Sequence, residues 1–170
     1  MKTKLYLAVI LAIVLGVFAP DMIAQKKTIV LVRHVEKDTS ATADKTDPEL
    51  SQTGRDRALL MVKAVGKYKP DAIYSTNFKR SRDSVKPLAE KRKKEVQLYD
   101  PSNQQKLVDE VMASKFKKFV VVGHSNTTPA LANLFTKKEV FKQIPDTEYS
   151  VIWVIRMKNG VLEKVEVLTY

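Results

Sequence analysis

A buried-strand signature that ends in a histidine occurs twice in this chain. Residues 28–34, Thr-Ile-Val-Leu-Val-Arg-His, place an apolar, largely β-branched run before Arg33 and His34. Residues 119–124, Phe-Val-Val-Val-Gly-His, repeat the pattern before His124, and the 170 residues contain only these two histidines. Unbroken apolar runs of this kind are typical of parallel strands covered on both faces. Because open α/β sheets bind ligands at the carboxyl ends of their strands, the pattern predicts both imidazoles at one sheet edge.

Strand and helix signals alternate along the rest of the chain. The predicted elements are strand 28–32, a helix after residue 50, strand 70–74, helix 78–94, strand 96–99, helix 104–115, strand 119–122, a helix to residue 135, and strands 151–157 and 161–168. Ser51 or Thr53 can cap the first helix, and Pro87 predicts a kink or a new start in the second. Residues 158–160, Lys-Asn-Gly, are typical of a hairpin turn. The alternation predicts an α/β fold, a three-layer α/β/α sandwich with a mostly parallel central sheet and a C-terminal β-hairpin.

The first 25 residues have the layout of a secretory signal peptide. A basic start precedes an apolar run from Leu5 to Ala19, followed by a polar exit near residue 25. The run is shorter than the roughly twenty residues that span a bilayer. We therefore expect residues 1–25 to direct export, with an uncleaved membrane anchor as the alternative, and residues 26–170 to form the domain. The expected outcome is a periplasmic or secreted protein without stable membrane association after cleavage.

Composition excludes several classes of chemistry. The chain has no cysteine, which rules out disulfides, thiolate metal sites and a cysteine nucleophile. The formal net charge of +11 would favour binding to nucleic acid, to an acidic surface or to phosphorylated substrates. Because the basic residues are scattered through helical segments such as 86–94 and are not interleaved with aromatics, we expect a solvated face and no nucleic-acid binding. No phosphate-binding glycine loop and no carboxylate cluster occurs, so the chemistry is expected to need no cofactor and no metal.

Anion-binding groups follow three of the predicted strands. They are Arg33-His34, residues 75–80 (Ser-Thr-Asn-Phe-Lys-Arg) and residues 123–127 (Gly-His-Ser-Asn-Thr). The helix after each offers unpaired amides and a positive dipole end. Arginine forks match phosphate oxygens, and a neutral imidazole is a competent nucleophile toward phosphorus. The three segments together predict a phosphate site.

These motifs resemble, in order, those of the histidine phosphatase, or phosphoglycerate mutase-like, superfamily. Residues 33–36, Arg-His-Val-Glu, resemble its Arg-His-Gly-Glu signature, with Val35 where glycine is usual. Residues 50–58 resemble its Leu-Thr-x-x-Gly-x-x-Gln-Ala segment, and residues 74–84 resemble its Ser-Ser-Pro-x-x-Arg-Ala-x-Gln-Thr pattern. Residues 122–124, Val-Gly-His, match the strand end that carries the second histidine. The resemblance covers essentially the whole predicted domain and implies a phosphoglycerate mutase-like fold of the short form, without the large cap insertion.

The resemblance also implies a role for each site residue. His34 would be the nucleophile that becomes phosphohistidine, and Arg33, Arg80 and His124 would hold the phosphoryl oxygens. From the residues themselves, Ser125, Asn126 and Thr127 are expected to cap the helix after His124, and Asn126 is the one that could also contact phosphate.

Two carboxylates are candidates for the general acid that protonates the leaving oxygen. Asp100, at the end of the third strand, is the first candidate, and Glu36, within the signature, is the second. The implied activity is that of an exported, metal-independent phosphatase acting on phosphomonoesters or a related phosphorylated substrate, either a small molecule or a phosphoprotein. The alternatives are a phospho-ligand-binding protein with weak or no turnover and a phosphoglycerate mutase-type phosphotransferase. The sequence predicts no oligomeric state.

Overall fold

The computed structural model describes residues 25–170, so the predicted signal peptide lies outside the described residues apart from its last position. The elements are β1 (Lys26–Arg33), α1 (Gln52–Gly66), β2 (Ala72–Thr76), α2 (Lys79–Arg92), β3 (Val96–Tyr99), α3 (Gln104–Ala113), β4 (Lys118–Gly123), α4 (Thr127–Thr136), β5 (Ile152–Lys158) and β6 (Val161–Leu168). Each predicted strand and helix is present in the described region, with ends shifted by a few residues.

The strands form one sheet in the order β3-β2-β4-β1-β5-β6. The first four in this order run parallel, whereas β5 is antiparallel to β1 and pairs with β6 as a hairpin. Asn159 and Gly160 form the hairpin turn with positive φ angles of 52° and 78°, which an Asn-Gly pair adopts readily. The predicted sheet, mostly parallel with a C-terminal β-hairpin, is confirmed.

Alternation along the central strands divides the core into two layers. On β1, Ile29 and Leu31 pack with α3 and α4, while Val30 and Val32 pack with α1 and α2. All four side chains are fully buried. Since successive side chains of a strand point to opposite faces, an unbroken apolar run is what a sheet covered on both sides requires. The three-layer α/β/α prediction is confirmed.

The sequence left open which residue caps α1 and whether Pro87 breaks α2. Ser51 is the N-cap of α1, and its hydroxyl accepts a hydrogen bond of 3.0 Å from the amide of Gly54. Pro87 lies inside α2, which continues without a break to Arg92. A proline removes a single intrahelical hydrogen bond, and packing of α2 against the sheet and α1 maintains the helix around it.

Candidate active site

The two histidines lie at the carboxyl ends of the neighbouring strands β1 and β4. Arg33 pairs in register with Gly123, and the amide of His34 donates a 2.9 Å hydrogen bond to the carbonyl of Gly123. The rings of His34 and His124 are 5.2 Å apart at an angle of 69°. The parallel pairing of β1 with β4 therefore brings together two imidazoles that are ninety residues apart in the chain.

A cavity of about 330 Å³ opens over the two imidazoles. Of the residues implied by the sequence, it is lined by Arg33, His34, Arg80, His124 and Asn126. The other lining residues are Lys37, Ser125, Asp146 and Tyr149. A larger cavity, of about 880 Å³, lies between α3, α4 and the hairpin turn but contains no histidine and no arginine. We therefore place the chemistry in the smaller cavity.

The hydrogen bonds of His34 determine which of its nitrogens is free to react. Nδ1 lies 2.7 Å from the carbonyl oxygen of Val35. Because a carbonyl can only accept, the proton of the neutral ring is on Nδ1 and the lone pair is on Nε2. Arg80 Nε lies 3.3 Å from Nε2 and donates to it. His34 thus presents an unprotonated Nε2 next to a guanidinium.

Both imidazoles are held neutral by their surroundings. Burial lowers the pKa of His34 from 6.5 to about 3; the hydrogen bond to Val35 opposes this shift, and repulsion from His124, Arg80 and Arg33 adds to it. Burial, followed by repulsion from Arg80 and Arg33, lowers the pKa of His124 to about 4. An imidazole with so low a pKa keeps its lone pair throughout the neutral and mildly acidic range.

Acidification is expected to destabilise the anion-free protein through His34. Its pKa is about 3 in the folded state against an ordinary value of 6.5, so the unfolded chain takes up the proton first. The resulting stabilisation is fully present above about pH 6.5 and is lost toward pH 3, at up to about 1.4 kcal/mol per pH unit. Urea unfolding at about pH 7 and about pH 4.5 measures the loss. His34→Gln, which cannot titrate, should reduce the dependence to the part that His124 contributes, and an unchanged slope in that variant would contradict the assignment.

Arg80, in the first turn of α2, lies next to His34 in the cavity. Its guanidinium carbon lies 4.4 Å from the ring centre of Phe78, and Nη1 lies 3.9 Å from Oδ1 of Asp47. The same Asp47 oxygen accepts a 2.9 Å hydrogen bond from the amide of Lys79. Burial lowers the pKa of Arg80 and Asp47 partly offsets this. Stacking and the carboxylate together fix a cation next to the reactive nitrogen.

Arg33 combines a place in the cavity with a structural role. Its Nη1 donates to the carbonyl oxygens of Pro145, Asp146 and Glu148 at 2.9, 3.1 and 2.7 Å. Its guanidinium carbon also lies 4.1 Å from the ring centre of Tyr149. Nε of Arg33 is buried and has no hydrogen-bond partner within residues 25–170. Arg33 therefore anchors the segment before β5 and also lines the cavity.

The backbone around the two histidines is tied to the adjoining helices. The amide of Val35 donates to Ser84 Oγ at 2.9 Å, and that hydroxyl donates to the carbonyl of Arg80 at 2.6 Å. Val35 itself is fully buried in a small cluster with Leu50 and Ala58. This packing accounts for a valine where the superfamily signature usually has glycine.

His124 is fixed by two threonines. Its Nε2 lies 3.0 Å from Thr76 Oγ1, and its amide donates to Thr127 Oγ1 at 2.8 Å. Asn126 occupies the N-cap position of α4, but its side chain makes no capping hydrogen bond. The capping interpretation of the Asn126 side chain is therefore wrong, and that side chain lines the cavity instead.

Neither carboxylate expected to act as the general acid lines the cavity. Oε1 of Glu36 forms a 2.6 Å ion pair with Nε of Arg57. Oδ1 of Asp100 accepts from the amide and the hydroxyl of Ser102 at 2.8 and 2.7 Å, on the exposed turn after β3. Among the described residues that line the cavity, Asp146 carries the only carboxylate. Residues 25–170 contain no cluster of three or more histidine, aspartate or glutamate side chains suited to a metal ion.

Comparison with known proteins gives a family match over part of the chain and a fold for the domain. Residues 29–101, which include Arg33, His34 and Arg80, match the sequence model of the histidine phosphatase superfamily, branch 1. No curated protein sequence matches the chain.

The fold resembles that of mycobacterial glucosyl-3-phosphoglycerate phosphatase, with a TM-score of 0.66 and 16% identity over 85% of this chain and 98% of that one. It also resembles the protein histidine phosphatase SixA complexed with tungstate, with a TM-score of 0.67 and 14% identity over 84% of this chain and 96% of that one. Residues 29–101 thus match the histidine phosphatase superfamily, and residues 25–170 have a phosphoglycerate mutase-like fold.

Proposed function

We propose that this protein is a metal-independent phosphatase that hydrolyses phosphomonoesters through a phosphohistidine on His34. The observation that carries the proposal is the unprotonated Nε2 of His34, which lies 3.3 Å from Arg80 Nε in a cavity also lined by Arg33 and His124. A neutral nucleophile among cations is what attack on an anionic phosphoryl group requires. The superfamily match supports the same reaction class.

The reaction proceeds in two displacements at phosphorus. In the first, Nε2 of His34 attacks in line, the P–N bond forms, and the P–O bond to the leaving group breaks. In the second, water attacks the phosphohistidine, the P–N bond breaks, and inorganic phosphate leaves. Arg80, Arg33 and His124 stabilise the charge on the equatorial oxygens in both steps. The hydrogen bond from Nδ1 to the carbonyl of Val35 keeps the ring oriented throughout.

The substrate is a phosphomonoester reached through an open cavity. Only three residues separate α2 from β3, which leaves no room there for an insertion that covers the site. The similar solved structures include those of a glucosyl-3-phosphoglycerate phosphatase and of a protein histidine phosphatase. An open site accommodates a small phosphorylated molecule and also a phosphorylated side chain on a protein.

We place the activity outside the cytoplasm, in the periplasm or the medium, because the first 25 residues have the layout of a signal peptide. No stable membrane association follows once that segment is removed, and no nucleic acid is among the partners proposed. Of the helices within residues 25–170, none has the length and apolar character needed to cross a membrane.

A phospho-ligand-binding protein without turnover is the second candidate. It is favoured by one observation: Glu36 and Asp100, the carboxylates expected to protonate the leaving group, both lie outside the cavity. Such a protein would bind phosphate in the same pocket and release it unchanged. Turnover therefore separates the two candidates, whereas phosphate binding does not.

We expect the purified protein to hydrolyse 4-nitrophenyl phosphate at an undiminished rate in excess chelator, because His34 supplies the nucleophile that a metal-bound hydroxide supplies in metallophosphatases. Release of nitrophenol with and without chelator measures this. Loss of activity in chelator that added metal restores would contradict metal independence. Phosphate binding without turnover from acid to neutral pH would support the second candidate.

A further inference from the structure

We infer that Asp146 is the general acid of this site and, in the second displacement, its general base. The inference rests on the proposed phosphatase function, because it assigns a role within that reaction. Asp146 lies in segment 144–150, the stretch before β5 that carries no predicted element and no superfamily motif. Its carboxylate is the only one among the described residues lining the cavity with His34 and His124.

The backbone of segment 144–150 is held against the site at several points. Arg33 Nη1 donates to three of its carbonyl oxygens, one of them that of Asp146 at 3.1 Å. The amide of Ile144 donates to the carbonyl of Ser125 at 3.0 Å, and the hydroxyl of Tyr170 donates to the carbonyl of Tyr149 at 3.2 Å. The position of Asp146 is thus set by backbone contacts that do not need its side chain.

The side chain of Asp146 contacts two other residues that line the cavity. Oδ1 lies 3.5 Å from Arg33 Nη2 and 3.4 Å from Ser125 Oγ. These contacts link it to the residues that precede His34 and follow His124.

In-line geometry places the departing oxygen on the same side as Asp146. His34 is only 5% exposed and lies at the cavity floor, whereas the Asp146 side chain is 86% exposed at its mouth. A nucleophile attacking from the floor expels the leaving group toward the mouth, because the two are opposite each other in the transition state. A carboxyl group there can deliver a proton to the leaving oxygen.

The other carboxylates near the cavity are engaged elsewhere. Glu36 is paired with Arg57, and Asp100 accepts from Ser102. Asp47 accepts from the amide of Lys79 and does not line the cavity. Asp146 is therefore the carboxylate whose position matches the path of the leaving group.

Asp146 supplies the proton that the first displacement needs and regains a proton in the second. As Nε2 of His34 forms the P–N bond, the P–O bond breaks, and the carboxyl proton of Asp146 moves to the leaving oxygen, which departs as an alcohol. The resulting carboxylate then accepts a proton from the attacking water as the P–N bond breaks. Asp146 is again protonated, Nε2 regains its lone pair, and no further reactant is needed.

The test is the dependence of Asp146→Asn on the leaving group. β-Glycerophosphate releases an alkoxide that needs a proton, whereas 4-nitrophenyl phosphate releases a stabilised phenolate that does not. We expect Asp146→Asn to lose about 100-fold or more in kcat on β-glycerophosphate, with a far smaller loss on 4-nitrophenyl phosphate. Asparagine keeps an oxygen acceptor for Arg33 and Ser125, and it introduces no negative charge. Inorganic phosphate should therefore bind the variant at least as tightly as the parent.

Matched variants make the outcome decisive. Asp146→Glu keeps a carboxyl and should recover part of the glycerophosphate activity, while Glu139→Gln removes a surface carboxylate remote from the cavity and should act as the parent does. An equal loss on both substrates, no loss on either, or failure of Asp146→Glu to exceed Asp146→Asn would overturn the inference. A selective loss on β-glycerophosphate in Asp100→Asn would assign the role to Asp100. If the parent protein neither turns over nor forms phosphohistidine, the proposed function itself fails.

Discussion

Replacing His34 with alanine is expected to reduce phosphatase turnover by more than about 1000-fold, as removal of the nucleophile does in other covalent enzymes. The reason is structural: Nε2 of His34 carries the lone pair, is backed by the Nδ1 contact to Val35, and faces Arg80 at 3.3 Å. No other described side chain that lines the cavity combines a nitrogen lone pair with this burial, apart from His124. Initial rates with 4-nitrophenyl phosphate measure the loss.

His124→Ala is the matched control, because it removes an imidazole of the same cavity and leaves the nucleophile in place. We expect slower turnover in this variant, with phosphohistidine still detectable after rapid quenching in alkali. His34→Ala should give no phosphohistidine at all. Turnover or phosphohistidine that persists in His34→Ala would show that the mechanism proposed here is wrong.

Gly54→Ala is expected to lower the free energy of unfolding by about 2–4 kcal/mol. In most helix interiors the same change raises the free energy of unfolding, because alanine has the higher helix propensity. A Cβ at residue 54 would lie 2.1 Å from the carbonyl oxygen of Glu36 and 3.0 Å from its carbonyl carbon. That carbonyl cannot easily retreat, since it accepts a 3.0 Å hydrogen bond from the amide of Ser51. The clash therefore acts on the backbone two residues after His34, and activity should fall together with stability.

Gly66→Ala in the same helix is the control for that prediction. A Cβ there meets only Leu88 Cδ1, at an ordinary contact distance of 3.8 Å. Its unfolding midpoint in urea should equal or exceed that of the parent, because alanine restricts the unfolded chain more than glycine does. A Gly54→Ala midpoint equal to that of the parent would mean that α1 and the His34 turn are not locked together.

The fold could be predicted because its central strands carry unambiguous patterns. Residues 29–32 and 119–122 are apolar without interruption, and they are followed by Arg33-His34 and by Gly123-His124. Parallel pairing then fixes the register, with Arg33 opposite Gly123. The placement of both imidazoles at one edge follows from these facts and from the position of ligand sites in α/β sheets.

The segment that completes the site could not be predicted, because its position depends on backbone groups. Tyr149 and Asp146 reach the cavity through the bonds from Arg33 to carbonyl oxygens, which every sequence possesses. Nothing in the residue pattern of 144–150 marks these contacts. The one relevant signal in the sequence is an arginine at the end of a buried strand, and by itself it indicates a phosphate ligand.

The two carboxylates expected to act as acid illustrate how local chemistry overrides position in the fold. Asp100 follows β3 as anticipated, but the sequence Asp-Pro-Ser supplies an amide and a hydroxyl two residues away, and the carboxylate bonds to these. Aspartate is often drawn into such turns. Glu36 lies beside His34 in sequence, yet Arg57 on α1 captures its carboxylate. Neither competitor is visible from the superfamily pattern.

The hydrogen bonds from Arg33 to main-chain oxygens have a consequence for how enzymes of this kind diversify. Because the guanidinium binds carbonyls of residues 145, 146 and 148, the side chains of that segment can change without loosening it. Mutation of the side chains around Asp146 would alter what the pocket accepts while the nucleophile, its cations and the proton donor stay in place. An anchor that binds only main-chain oxygens, next to a rim whose other side chains can vary, would allow a single chemistry to be passed to new substrates by a few point mutations.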